Sequence, residues 1–243
     1  MFLSHKLFLN NTLIMSQKLT ILFDLDGTLI DTAPDLMNAH NYVMKKFGYE
    51  TKTVSDMRKL VGKGAASLIG RSVWGQAKKE FNQINNQNVK KEMVKDFIDY
   101  YGKNIAVESK LIKGIKNFLE WCKKKNISMG VCTNKQEYLA IDLLKKIKIY
   151  DYFEYVAGSN TFDYCKPDPR HLTTVIEIMQ GNIKKSLMIG DSETDSDAAK
   201  NAGIPFILLE DGYTEKKVSE IHHDHLIKNF DNFEEIVNKY LDH

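Results

Sequence analysis

Cysteine is scarce in this chain. The three thiols, Cys122, Cys132 and Cys165, form neither a CxxC pair nor a zinc pattern. An odd count at such spacings excludes a disulfide-stapled scaffold and points to a reduced, cytoplasmic protein. An excess of charge of either sign is also missing. With 34 Lys and Arg against 32 Asp and Glu, the formal net charge is +2, which excludes a nucleic-acid binder driven by bulk charge. No apolar run approaches the ~20 residues needed to cross a bilayer, so no membrane partner is expected. The opening MFLSHKLFLNNTLIM is broken by two asparagines and lacks a small-residue cleavage site, so it does not read as a signal peptide. Residues 1–17 are expected to be a disordered extension, with Met15 an alternative start. What remains is ordinary for a globular protein, 43% hydrophobic and 27% charged over 243 residues, enough for a core domain with a smaller insert.

The apolar segments alternate between two kinds. Leu19–Phe23 is a continuous apolar run ending in Asp24, as suits a strand covered on both faces. Ser128–Thr133, Ser186–Ile189 and Pro205–Leu208 look alike, and each follows a helix-like segment: Gly114–Lys124, Asp168–Met179 and Asp195–Ala202. This alternation predicts a parallel α/β sheet. A short strand at His225–Ile227 and a helix at Phe230–Leu241 close the chain. Residues 34–107 differ. Pro34 suits a first helical turn, Leu36, Ala39, Val43 and Phe47 recur at helical spacing, and Gly48 stops the run. Val89, Met93, Phe97 and Tyr101 make a second stripe, with Gln83–Asn88 between them as an internal loop. An all-helical insert therefore separates the first strand from the rest of the sheet. The expected division is 18–33 with 108–243 as core and 34–107 as insert.

Chemistry concentrates where strands end. In FDLDGTLIDT, Asp24 ends a strand, where open α/β sheets place ligands, and Asp26 points to the same side two residues on. Two carboxylates this close repel unless a metal or shared proton relieves them, which suits one as nucleophile and the other as proton carrier. In IGDSETDSDAAKNAG, Asp191 ends another strand and Asp195 opens a helix, where capping accounts for it in part. Asp24, Asp26 and Asp191 together form an oxygen-rich pocket suited to Mg²⁺. Thr133 and Asn134 end the VCTN strand, and Lys166 lies in CKPDP. A hydroxyl and an ammonium there could hold phosphate oxygens.

These four segments, in this order, resemble the motifs of the haloacid dehalogenase superfamily of phosphohydrolases: DLDGT, Thr133, Lys166 and GDSETD. The resemblance spans residues 19 to about 212 and is closest to its phosphoglycolate phosphatases, through DLDGTLIDTAPDL, RKLVGKGA, KPDP, GDSETDSDAAKNAG and the late DGY. It implies a Rossmann-like core with helices on both faces and a helical cap inserted after the first motif. It implies Asp24 as nucleophile and metal ligand, and Asp26 as general acid/base giving the metal its backbone carbonyl. Asp191 would be the remaining metal ligand, Asp195 its support, and Thr133, Asn134 and Lys166 the phosphate holders. The implied activity is Mg²⁺-dependent hydrolysis of a small phosphorylated metabolite, 2-phosphoglycolate first, by a monomer or homodimer. Other readings are a pyrophosphatase, a nucleotidase, a sugar phosphatase, a sugar-phosphate mutase or a non-catalytic regulatory binding module. For a substrate carboxylate, the basic candidates are Arg58 and Lys63 around the Gly62–Gly64 turn.

Overall fold

A computed structural model describes residues 18–74 and 87–241. The expected disordered extension, 1–17, lies outside them, as does the 83–86 part of the expected internal loop.

The core is a six-stranded, all-parallel sheet in the order β5-β4-β1-β6-β7-β8. Its strands are β1 (Thr20–Phe23), β4 (Ser128–Cys132), β5 (Tyr155–Ala157), β6 (Ser186–Gly190), β7 (Phe206–Leu209) and β8 (His225–Ile227). Successive side chains leave opposite faces of a strand. Ile21, Phe23, Met129, Val131, Leu187 and Ile189 enter one apolar cluster, while Leu22, Cys132, Met188, Phe206 and Leu208 enter another. Both faces are thus covered, which is why the strands read as unbroken apolar runs. Phe23, fully buried, meets Phe118 and Phe153 edge-on at 6.2 and 5.9 Å. Burial of such a side chain contributes about 1.5–3 kcal/mol.

Helices α1 (Ala33–Phe47), α2 (Val54–Leu60), α3 (Ala65–Trp74) and α4 (Gln87–Lys103) follow one another before the chain returns to the sheet. Gln87 and Asn88, expected in a loop, open α4. A short antiparallel ribbon, β2 (Ile30–Asp31) with β3 (Lys110–Leu111), brackets these helices. Its two residues per strand are too few to show a period in the sequence. Buried Asp35, in the first turn of α1, accepts from the N–H groups of Glu108 and Ser109, both at 2.9 Å, and so ties departing and returning chain together.

The remaining helices are α5 (Ile115–Lys124), α6 (Glu137–Lys146), α7 (Arg170–Ile178), α8 (Glu193–Ala202) and α9 (Glu234–Leu241). The pair α6–β5 is not among the elements expected from the sequence, because a three-residue edge strand carries almost no pattern. Helix α7 starts later than expected, because the Asp168 carboxylate accepts from the Arg170 N–H at 2.9 Å outside the first turn. Helix α9 also starts late, at Glu234: Phe230 stacks on Phe118 of α5 at 5.5 Å and Phe233 lies tilted against it at 4.7 Å, both ahead of the first helical turn.

Candidate active site

The middle strands β4, β1 and β6 carry the site at their carboxyl ends. Asp24 stays in register, its N–H donating to the Ile189 carbonyl at 2.9 Å. Gly27 then turns the chain with φ +86°, a conformation glycine adopts freely. A Cβ there would fall 2.1 Å from Asp191 Oδ2, so only glycine lets the two motifs close on each other.

Asp24 and Asp26 both open on a cavity of about 570 Å³, but with different partners. Asp24 Oδ1 accepts from Lys166 Nζ at 2.7 Å. Asp26 accepts from the Thr32 hydroxyl at 2.6 Å and pairs with Lys135 Nζ at 2.9 Å. Thr32 stands at the N-cap of α1, yet its side chain makes no cap bond there; the hydroxyl goes to Asp26 instead.

Lys166 is buried between two carboxylates, Asp24 at 2.7 Å and Asp195 at 2.5 Å. It does not end a strand, as the sequence suggests. It lies in the 158–169 loop, because β5 stops at Ala157 and α7 begins at Arg170. Burial works against its ammonium, but the Asp195 and Asp24 carboxylates outweigh burial and hold its pKa above the usual lysine range. Asp195 spends its other oxygen on Ser192, accepting from N–H at 3.1 Å and Oγ at 2.7 Å, which closes the start of α8. Asp191 accepts from Tyr213 N–H at 2.6 Å and from the Thr28 hydroxyl at 3.3 Å.

Oxygens of Asp24, Asp191 and Asp195 lie within 4.8 Å of one another, all buried. Burial pushes the Asp24 carboxyl up to about 7; Lys166 opposes this, and Asp195 and Asp26 add to it. Burial, then Asp24 and Asp195, likewise raise Asp191 well above the carboxylate range. Three buried carboxylates with one ammonium among them are short of positive charge. An all-oxygen donor set with that deficit fits a hard divalent cation. Asp24 and Asp191 are the ones with an oxygen to give: Lys166 takes Oδ1 of Asp24, and the Thr28 hydroxyl reaches Asp191 Oδ1 only at 3.3 Å, whereas both oxygens of Asp195 are held closely, by Lys166 at 2.5 Å and Ser192 Oγ at 2.7 Å.

The other expected residues divide. Thr133 is buried and lines the cavity. Asn134 lines it too, but its amide donates to the carbonyls of Gly62 at 3.1 Å and Lys166 at 3.0 Å, so it joins two loops. Lys63 lines the cavity and pairs with Glu193 at 3.0 Å. Arg58 is not among the lining residues; Asp31 holds its guanidinium at 2.6 Å. Four residues join the site without having been expected from the sequence: Lys135, Thr32, Tyr213 and Tyr101. Lys135 follows Thr133 and Asn134 directly, and that adjacency is its only signal.

Comparison with known proteins decides the family. The haloacid dehalogenase-like hydrolase family matches residues 21–209. The chain belongs to that family. A phosphoglycolate phosphatase of Mesorhizobium japonicum is 36% identical over 211 residues, covering 87% of this chain and 91% of its own. One from Agrobacterium fabrum is 36% identical, over 86% and 88%. The crystal structure of a predicted phosphoglycolate phosphatase from Haemophilus somnus superimposes with a TM-score of 0.83 at 27% identity, covering 92% of this chain and 99% of that one. On family, fold and relatives together, this hydrolase is a phosphatase. Among its described residues, no helix is long and apolar enough to cross a membrane.

Proposed function

We propose that this phosphatase hydrolyses 2-phosphoglycolate to glycolate and phosphate through a phosphoryl group carried on Asp24, with Mg²⁺ held by Asp24, Asp191 and the Asp26 backbone carbonyl. The observation that carries the reading is the split between two carboxylates at one cavity: Asp24 is fixed by Lys166, while Asp26 is oriented separately by Thr32 and Lys135. One is placed to attack, the other to move a proton.

Asp24 Oδ attacks phosphorus as the P–O bond to glycolate breaks. Lys166 and Thr133 hold the phosphoryl oxygens, and fixed donors of this kind in a dry site are worth far more than in water. Asp26 gives its proton to the departing alkoxide, then takes one from the water that releases phosphate from Asp24. Bound Mg²⁺ supplies further positive charge to the phosphoryl oxygens. Helices α1–α4 act as a cap over the cavity and exclude water. The proposed setting is cytoplasmic, in keeping with three unpaired thiols.

Ranking kcat/KM with Mg²⁺ over 2-phosphoglycolate, glucose 1-phosphate, a nucleoside 5′-monophosphate, pyrophosphate and p-nitrophenyl phosphate tests this. 2-Phosphoglycolate is expected first by at least tenfold. Another substrate ranking first would overturn the substrate, and no turnover of any would point to a binding module.

A further inference from the structure

We infer that Lys135 and Tyr101 form the subsite for an anionic group carried next to the substrate phosphate. For this enzyme that group is the carboxylate of 2-phosphoglycolate; this identification rests on the function proposed above.

Among the described residues, three lysines line the cavity: Lys63, Lys135 and Lys166. Lys166 gives two of its donors to Asp24 and Asp195 and, on the function proposed above, its third to the phosphoryl group. Lys63 has a side chain 43% exposed and is already paired with Glu193, so water screens it. Lys135 has a side chain only 6% exposed, and its ammonium sits 4.5 Å from the ring centroid of Tyr101, with Asp26 as its carboxylate partner. A buried ammonium between a ring face and one carboxylate keeps donor capacity for a second anion.

Tyr101 supplies the independent observation. It rises from α4, lines the same cavity and is 1% exposed. Its hydroxyl is buried with no hydrogen-bond partner among the described residues. Leaving such a group unpaired is unfavourable, and a ligand oxygen would satisfy it. The part of the wall formed by Leu36, Val61, Leu68, Phe97 and Leu139 is apolar and offers an anion nothing.

Position completes the argument. Asp26 must reach the leaving oxygen to protonate it, and Lys135 Nζ lies 2.9 Å from Asp26. A group one carbon beyond the leaving oxygen therefore comes within reach of Lys135. A longer tail would carry its charge past it into the apolar wall.

The test compares wild type, Tyr101→Phe, Lys135→Met and Lys135→Arg on 2-phosphoglycolate, 2-phospholactate and ethyl phosphate, the last with a neutral tail of similar size. In wild type, the anionic-tailed esters are expected to exceed ethyl phosphate in kcat/KM. That ratio should fall at least tenfold in Tyr101→Phe and a hundredfold in Lys135→Met, chiefly through KM, with part of it kept in Lys135→Arg. Tyr101→Phe removes a hydroxyl that makes no bond among the described residues, so a folding defect is not expected to obscure it. Equal losses on charged and neutral tails in both variants overturn the subsite. A wild type favouring 2-phosphoglycolate whose preference survives both variants overturns the subsite and leaves the proposed function standing. A wild type favouring 2-phospholactate, with that preference lost in the variants, supports the subsite and overturns 2-phosphoglycolate as substrate.

Discussion

Asp195 holds Lys166 at 2.5 Å with one carboxylate oxygen and closes the start of helix α8 with the other. The ammonium that grips Asp24 is thus anchored to a helix cap. Lys166→Met would leave two buried carboxylates without their cation, and breaking a buried pair in this way costs about 3–5 kcal/mol. Urea unfolding at pH 8 should show that loss. The deficit should shrink toward pH 6, as Asp24 takes up a proton in place of the lost charge.

Asp24→Asn should abolish turnover, since an amide cannot attack phosphorus as a carboxylate does. Its effect on stability should have the opposite sign. With the native carboxyl pushed up to about 7, the folded state binds a proton that the unfolded state has released, so wild-type stability falls as pH rises from about 4 to 7. The amide escapes that loss. In metal-free buffer at pH 8 the variant should be more stable than wild type by about 1–3 kcal/mol, allowing for Lys166 losing a partner. A variant less stable at pH 8 would show that Lys166 dominates.

Chelation should remove activity and Mg²⁺ should restore it. Binding to the folded state alone stabilises by about 2.7 kcal/mol at a hundredfold excess over Kd. Thermal unfolding with and without Mg²⁺ should therefore separate by several degrees in wild type. Asp191→Asn should abolish the separation. A full Mg²⁺ shift in that variant would remove Asp191 from the metal site.

Gly27→Ala places a Cβ 2.1 Å from Asp191 Oδ2 and forces alanine into φ +86°. The backbone strain alone costs about 1–3 kcal/mol. Displacement of the carboxylate should also weaken Mg²⁺. We expect kcat/KM to fall at least a hundredfold, with partial recovery at high Mg²⁺; a fall that Mg²⁺ leaves untouched would place the damage elsewhere.

Much of this arrangement is legible in the amino-acid sequence, for a physical reason. A strand buried on both faces writes its whole length in apolar residues, so Asp24 and Asp191 stand out as charges closing such runs. Edge strand β5 and the β2–β3 ribbon bury too little to leave a pattern, and α6 is lost from view with its partner strand. Lys135 stays hidden because its meaning depends on Tyr101, 34 positions earlier, crossing over it from α4. Arg58 shows the converse: a basic residue beside a glycine turn suggests a substrate anion, and the partner the fold gives it, Asp31, lies 27 positions earlier where no local pattern points to it.

That last pair reaches further than its own helix. Asp31 also accepts from the Tyr213 hydroxyl, which accepts from the Ala33 N–H at 2.9 Å, while the Tyr213 N–H holds Asp191 at 2.6 Å. The helical insert is therefore wired to Asp191 through specific partners, Arg58 to Asp31 and Asp31 to Tyr213. An insert exchanged with that of a relative would not behave as an interchangeable module. Chimeras that import helices without a counterpart to Arg58 should lose more than substrate preference, and restoring that one residue would be the first repair to make.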